Sequence, residues 1–138
     1  MTLFYWDLPQ RLETQVGGWL GQETAYAFGD YARICFRHFV DHVKNWITIR
    51  ETWTIAINGY INHIHVLGRY ENPGTATYLA AHHLLLSRAR AVHICRRDFA
   101  FQRRVIGISY DGDFRYPANA ACDAGWDAAG RAMVFPIA

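Results

Sequence analysis

The chain has 138 residues, enough for about one domain, and its 51% hydrophobic and 15% aromatic content excludes a disordered segment. The net charge of +2 is close to balance, and an arginine share of thirteen in fourteen basic residues does not by itself point to nucleic acid. No apolar stretch reaches the ~18 residues of a membrane span, and Cys35, Cys95 and Cys122 form no CxxC pair, so neither a zinc site nor a disulfide framework is indicated.

The first segment, TLFYW at Thr2–Trp6, is short, apolar and aromatic, and reads as a strand ended by the WDLP turn. Between Thr24 and Phe39 the apolar residues Phe28, Tyr31, Ala32, Cys35, Phe36 and Phe39 recur at helical spacing. Val43 to Ile49 reads as a second strand after a very short connection. A long loop over Thr52–Gly74 is predicted next, closed by Asn72–Gly74, with Thr75 as the N-cap of a helix. That helix is expected to carry one stripe of His82, Leu85, Leu86, Ala89, Val92 and His93. VIGISY at Val105–Tyr110 is a third strand, and Ala120 to Val134 is Ala-rich and helical in pattern.

Strands alternating with helices predict an α/β fold with a parallel sheet. In such sheets chemistry gathers beyond the carboxyl ends of the strands. Glu51, Asp7, Asp111 and Asp113 all fall at such ends.

Several stretches then resemble glycoside hydrolase family 1, the family of β-glucosidases, lactase-phlorizin hydrolase and Klotho. They are MTLFYWDLPQ, GGW at Gly17–Trp19, DYARICFRHF at Asp30–Phe39 and VKNWITIRETW at Val43–Trp53. NGY at Asn58–Tyr60, PGTATYLAAHHLLL at Pro73–Leu86 and GIS at Gly107–Ser109 follow in order, with a weaker echo in AAGRAM at Ala128–Met133. The resemblance implies a partial (β/α)8 TIM barrel, about three βα units, the third to fifth of eight, with residues 1–138 as one incomplete barrel segment. It implies a retaining β-glycosidase that needs no cofactor and no metal and takes a β-glycoside. Glu51 in TIRET matches the family's acid/base glutamate in T-x-N-E-P.

The departures fall on the same positions. The family's asparagine, which holds the sugar's 2-hydroxyl, is Arg50, and its following proline is Thr52. The histidine of HWDLP, which contacts the sugar, is Tyr5. H-A-P-G reads HVLG at His65–Gly68, and the helical HN pair reads His82–His83. The nucleophilic glutamate follows the seventh strand in the family, beyond residue 138, so the isolated chain is expected to be inactive. The alternative is a catalytically dead relative that binds a sugar or a protein partner.

Two readings of Arg50 stand side by side. A guanidinium within ~4–6 Å stabilises a carboxylate in its charged form, which works against proton donation. As strand neighbours, Arg50 and Glu51 would instead point to opposite faces. Asp7 reads as structural within WDLP, and Asp111 and Asp113 read as turn residues. Trp6, Trp46 and Trp53 read as core more readily than as sugar platforms. His63, His65, His82 and His83 suggest no metal site, because adjacent helical residues point to different faces. The arginines at 88, 90, 96, 97, 103 and 104 read as a solvated helix end, not a nucleic-acid surface. The N-terminus has no charged stretch followed by a small-residue cleavage site, so it is not read as a signal peptide. A three-stranded sheet with one bare face and two open edges is expected to aggregate, stay partly molten or need a partner.

Overall fold

The computed structural model describes residues 1–39, 41–62, 64–65, 72–102 and 104–134. Three strands, β1 (Thr2–Phe4), β2 (Asn45–Arg50) and β3 (Val105–Ser109), form one sheet in the order β1-β2-β3. Both pairings are parallel, with Thr2 opposite Ile47, Phe4 opposite Ile49, and Trp46 opposite Ile106. The helices are α1 (Gln10–Val16), α2 (Gln22–His38), α3 (Thr52–Tyr60), α4 (Pro73–Asp98) and α5 (Asp123–Val134). The parallel α/β reading holds.

One layer of helices packs on the sheet. Phe28, Ala32, Cys35 and Phe36 of α2 meet Ala80, Leu84, Ala91 and Ile94 of α4 and Phe4, Trp46 and Ile49 of the strands in a single core. Aromatic rings meet edge to face inside it: Phe36 with Trp46 at 5.1 Å and Phe4 with Trp19 at 5.0 Å, the arrangement that ring quadrupoles favour. Two polar side chains drawn into the core, Thr48 and His83, find backbone partners. Thr48 on β2 donates to the Gly107 carbonyl at 3.0 Å, and the Nδ1 of His83 lies 2.8 Å from the Trp19 carbonyl. His83 therefore ties α4 to the turn that carries Trp19. Cys35 and Cys95 are buried, and burial pushes both thiols up.

Three expectations fail, each for a local reason. The stripe of α4 that meets the core is Ala76, Ala80, Leu84, Ala91, Ile94 and Cys95, whereas His82, Leu85, Ala89 and His93 face out. Leu84, Leu85 and Leu86 are consecutive, so apolar character alone cannot select a face. Small residues win here because α2 approaches closely. Thr75 is not the N-cap of α4: Asn72 holds that position in a left-handed conformation with φ 43° and without a side-chain cap bond, followed by Pro73 at the first helical position. The predicted loop after Glu51 begins as α3 instead, and Ile55, Ala56, Gly59 and Tyr60 are buried at helical i, i+4 spacing. The rest of that predicted loop, including His63 and residues 66–71, lies outside the described residues, as does Arg103.

On β2, Trp46 and Thr48 turn to the helices while Ile47 stays exposed, as does Val105 on β3. A parallel sheet is ordinarily covered on both faces. The 138-residue chain is therefore expected to self-associate through this sheet, with an apparent mass in sedimentation that rises with concentration. A species that stays monomeric over the same range and unfolds in one sharp transition would contradict this.

Candidate active site

Because the strands are parallel, their C-terminal ends deliver Tyr5, Trp6, Glu51 and Asp111 to one rim of the sheet. The backbone is unusual at two of these positions. Trp6 has φ 71° and Glu51 has φ 59°, both in the left-handed region that non-glycine residues seldom occupy. Such conformations persist only where the surroundings hold them, and they concentrate at functional sites. Around Trp6 the Asp7 N–H donates to the Tyr5 carbonyl at 2.9 Å, closing a three-residue turn.

Glu51 is fixed from both sides. Its N–H donates to the Ser109 carbonyl of β3 at 3.0 Å, and its carbonyl accepts from the Ile55 N–H at 2.9 Å, opening α3. It serves as the helix N-cap residue without using its side chain for the cap. The carboxylate is thus held at a strand-to-helix junction and left available for another partner.

That partner is Arg50. Its Nε stands 2.7 Å from Glu51 Oε1, and its guanidinium carbon lies 4.6 Å from the centre of the Tyr5 ring. Tyr5, Arg50 and Glu51 therefore form one connected group. Tyr5 is 51% exposed, and the side chains of Arg50 and Glu51 are 47% and 21% exposed. Of the two readings of Arg50, the one that turns it and Glu51 to opposite faces is overturned, and the guanidinium lies beside the carboxylate. The left-handed turn at Glu51 breaks strand alternation and swings the two side chains together. The Tyr5–Arg50 contact was not anticipated. The available signal was that both residues depart from the family pattern, so a compensating pair could have been sought.

The other candidates separate. Trp46 is core, at 2% exposure. Trp6 meets the ring of His65 edge to face at 4.4 Å, beside the group, and Trp53 is partly buried on α3. Asp7 is exposed. Asp111 accepts a hydrogen bond from the Thr54 hydroxyl, joining α3 to the end of β3, and Asp113 pairs with Arg115 at 2.6 Å. Asp113 is accounted for by its loop contact, while the Oδ1 of Asp111 is buried with no partner among the described residues. His82 and His83 stand ring to ring at 5.5 Å, but His83 is committed to the Trp19 carbonyl. Among the described residues, no three His, Cys, Asp or Glu side chains come together as a metal site, and no helix is long and apolar enough to cross a membrane.

Residues 1–137 match the family model of glycosyl hydrolase family 1. β-Glucosidase 6 of Oryza sativa subsp. japonica is 39% identical over 149 residues, covering 99% of this chain and 28% of its own length. Furcatin hydrolase of Viburnum furcatum is 39% identical over 143 residues, covering 99% of this chain and 26% of its own. A crystal structure of a rice β-glucosidase superimposes with a TM-score of 0.92 at 38% identity, over 99% of this chain and 30% of that one. The β-glucosidase of Trichoderma harzianum superimposes with a TM-score of 0.87 at 36% identity, over 97% and 28%. The chain thus spans between a quarter and a third of the length of each of these four relatives.

Proposed function

The chain belongs to glycosyl hydrolase family 1, and on that premise we propose that it is a segment of a retaining β-glycosidase of the β-glucosidase type, in which Glu51 stands at the acid/base position and Arg50 restrains it. The observation that carries this reading is the Arg50–Glu51 ion pair at the end of β2. A general acid must present a proton to the glycosidic oxygen, and a carboxylate oxygen engaged by a guanidinium accepts a hydrogen bond instead. Residues 1–138 are taken as one incomplete barrel segment, with a β-glycoside as the ligand of the whole site.

Retaining hydrolysis needs two carboxyl groups ~5–5.5 Å apart. Among the described residues, Arg50 pairs with Glu51 and Tyr5 lies against Arg50, and neither is a carboxyl. The isolated chain is therefore expected to release no more nitrophenol from p-nitrophenyl β-glucoside than its Glu51→Gln variant. Release that Glu51→Gln abolishes would contradict this.

The second reading is a glycosidase-like protein that binds a sugar without cleaving it. The stacked Arg50–Tyr5 pair favours it, because the half-exposed guanidinium supplies hydrogen-bond donors and the ring an apolar face. Retention on an immobilised β-glucoside that Arg50→Asn abolishes separates it from the first reading, in which Arg50 only restrains Glu51.

A further inference from the structure

On the outer face of the helical layer, α2 and α4 leave a cleft of about 430 Å³ whose rim includes Tyr26, Asp30, Arg33, Arg90, His93 and Arg97. We propose that this cleft binds a phosphate or sulfate monoester with an apolar body, away from the strand ends.

The guanidiniums are organised before any ligand arrives. The Arg97 Nε lies 2.5 Å from Asp98 Oδ1 and its Nη2 lies 3.0 Å from Oδ2. Arg33, from the other helix, donates to the same Oδ2. One carboxylate therefore holds two guanidiniums side by side across the α2–α4 seam. The Arg97 and Arg33 guanidiniums hold the Asp98 carboxyl down at about 2, so the clamp stays charged at every physiological pH. The third guanidinium, Arg90, lies over the Tyr26 ring with its carbon 3.7 Å from the ring centre, a contact that restrains it. Three arginines against Asp30 and Asp98 leave the cleft with a net positive charge.

The floor is apolar. Gly29 and Ala89 line it together with Ile94, whose Cδ1 lies against Gly29. The cleft thus joins an array of fixed guanidinium donors to a small hydrophobic base. A tetrahedral oxyanion with three acceptor oxygens uses such an array better than a carboxylate with two. A second cleft of about 570 Å³ lies across the Ala89–His93–Arg97 ridge and adds Arg88 and Arg96. The positive field around the site is correspondingly wide, which raises capture rates for anions. The cleft is lined by exposed faces of α2 and α4 turned away from the sheet, so the site can be examined in the 138-residue chain itself.

The test is calorimetric titration of the chain with phenyl phosphate, inorganic phosphate and phenol. Phenyl phosphate is expected to bind saturably and tighter than either fragment, and the binding is expected to weaken as NaCl is added. Arg90→Gln and Arg97→Gln are each expected to weaken it at least about fivefold, the loss that follows removal of a charge-assisted hydrogen bond. Arg115→Gln, in the loop after β3 where Arg115 pairs with Asp113 and lines neither cleft, is expected to leave it within about twofold. Equal losses from Arg115→Gln and Arg90→Gln, or no saturation up to about 10 mM, an affinity below roughly 3 kcal/mol, would overturn the proposal.

Discussion

Placed in the rice β-glucosidase in exchange for the matching stretch, this chain is expected to lower kcat/KM for an alkyl β-glucoside by about 10²–10⁴-fold, the contribution of a positioned proton donor. Arg50→Asn in the same chimera is expected to recover most of that loss. The exchange is geometrically reasonable because the two chains superimpose with a TM-score of 0.92. The argument rests on Arg50 holding Glu51 Oε1 at 2.7 Å while stacked on Tyr5 at 4.6 Å. Removing the guanidinium frees the carboxylate without touching the backbone that positions it. Tyr5→His alone is expected to recover less, since it removes the stacking partner but leaves the ion pair. Recovery from Tyr5→His with none from Arg50→Asn would mean that crowding by the ring, not the ion pair, is the restraint.

The second large effect is on stability. Trp46→Ala is expected to destabilise the fold by about 3–5 kcal/mol, as large-to-small changes at buried aromatic positions do. Trp46 sits on the central strand at 2% exposure and meets Phe36 edge to face at 5.1 Å, so its loss opens a cavity between the sheet and α2. Trp46→Phe is expected to cost only about 1–2 kcal/mol. The indole N–H is buried with no acceptor among the described residues, so phenylalanine removes a group whose desolvation is uncompensated. Urea midpoints at one fixed protein concentration would measure both. Equal losses from the two variants would show that the indole N–H has a partner after all.

Much of this arrangement was legible in the residues. The helical spacing of Phe28, Ala32, Cys35 and Phe36 identified α2 and its buried face, whereas Tyr31 and Phe39 of the same apolar set are exposed, as are Tyr26 and Ile34, because apolar character alone does not fix the edge of the stripe. The apolar run before Arg50 identified β2, and the alternation of strand and helix gave the parallel sheet that sets Glu51 at a rim. The family motifs then singled out Tyr5, Arg50 and Glu51.

What the residues did not reveal came from contacts distant in sequence and from backbone turns. Tyr5 reaches Arg50 only because Phe4 pairs with Ile49 across the sheet, so that one step further brings the two side chains together. Nothing local to TLFYW specifies that register. The left-handed conformation of Glu51 carries no glycine or asparagine signal, and without it strand alternation separates the two charges. In α3 the β-branched Thr52, Thr54, Ile55 and Ile57 mask a helix that tertiary packing imposes. In α4 the run of three leucines hid the fact that small residues face α2.

The most direct test of Glu51 as the proton donor compares two leaving groups in the Arg50→Asn chimera. Glu51→Gln is expected to cut kcat/KM for methyl β-glucoside by at least about 10²-fold, because that leaving oxygen needs a proton. For 2,4-dinitrophenyl β-glucoside, which departs without one, the same change is expected to stay within about tenfold. Equal reductions for both substrates, or no reduction for the methyl glucoside, would contradict the assignment of Glu51.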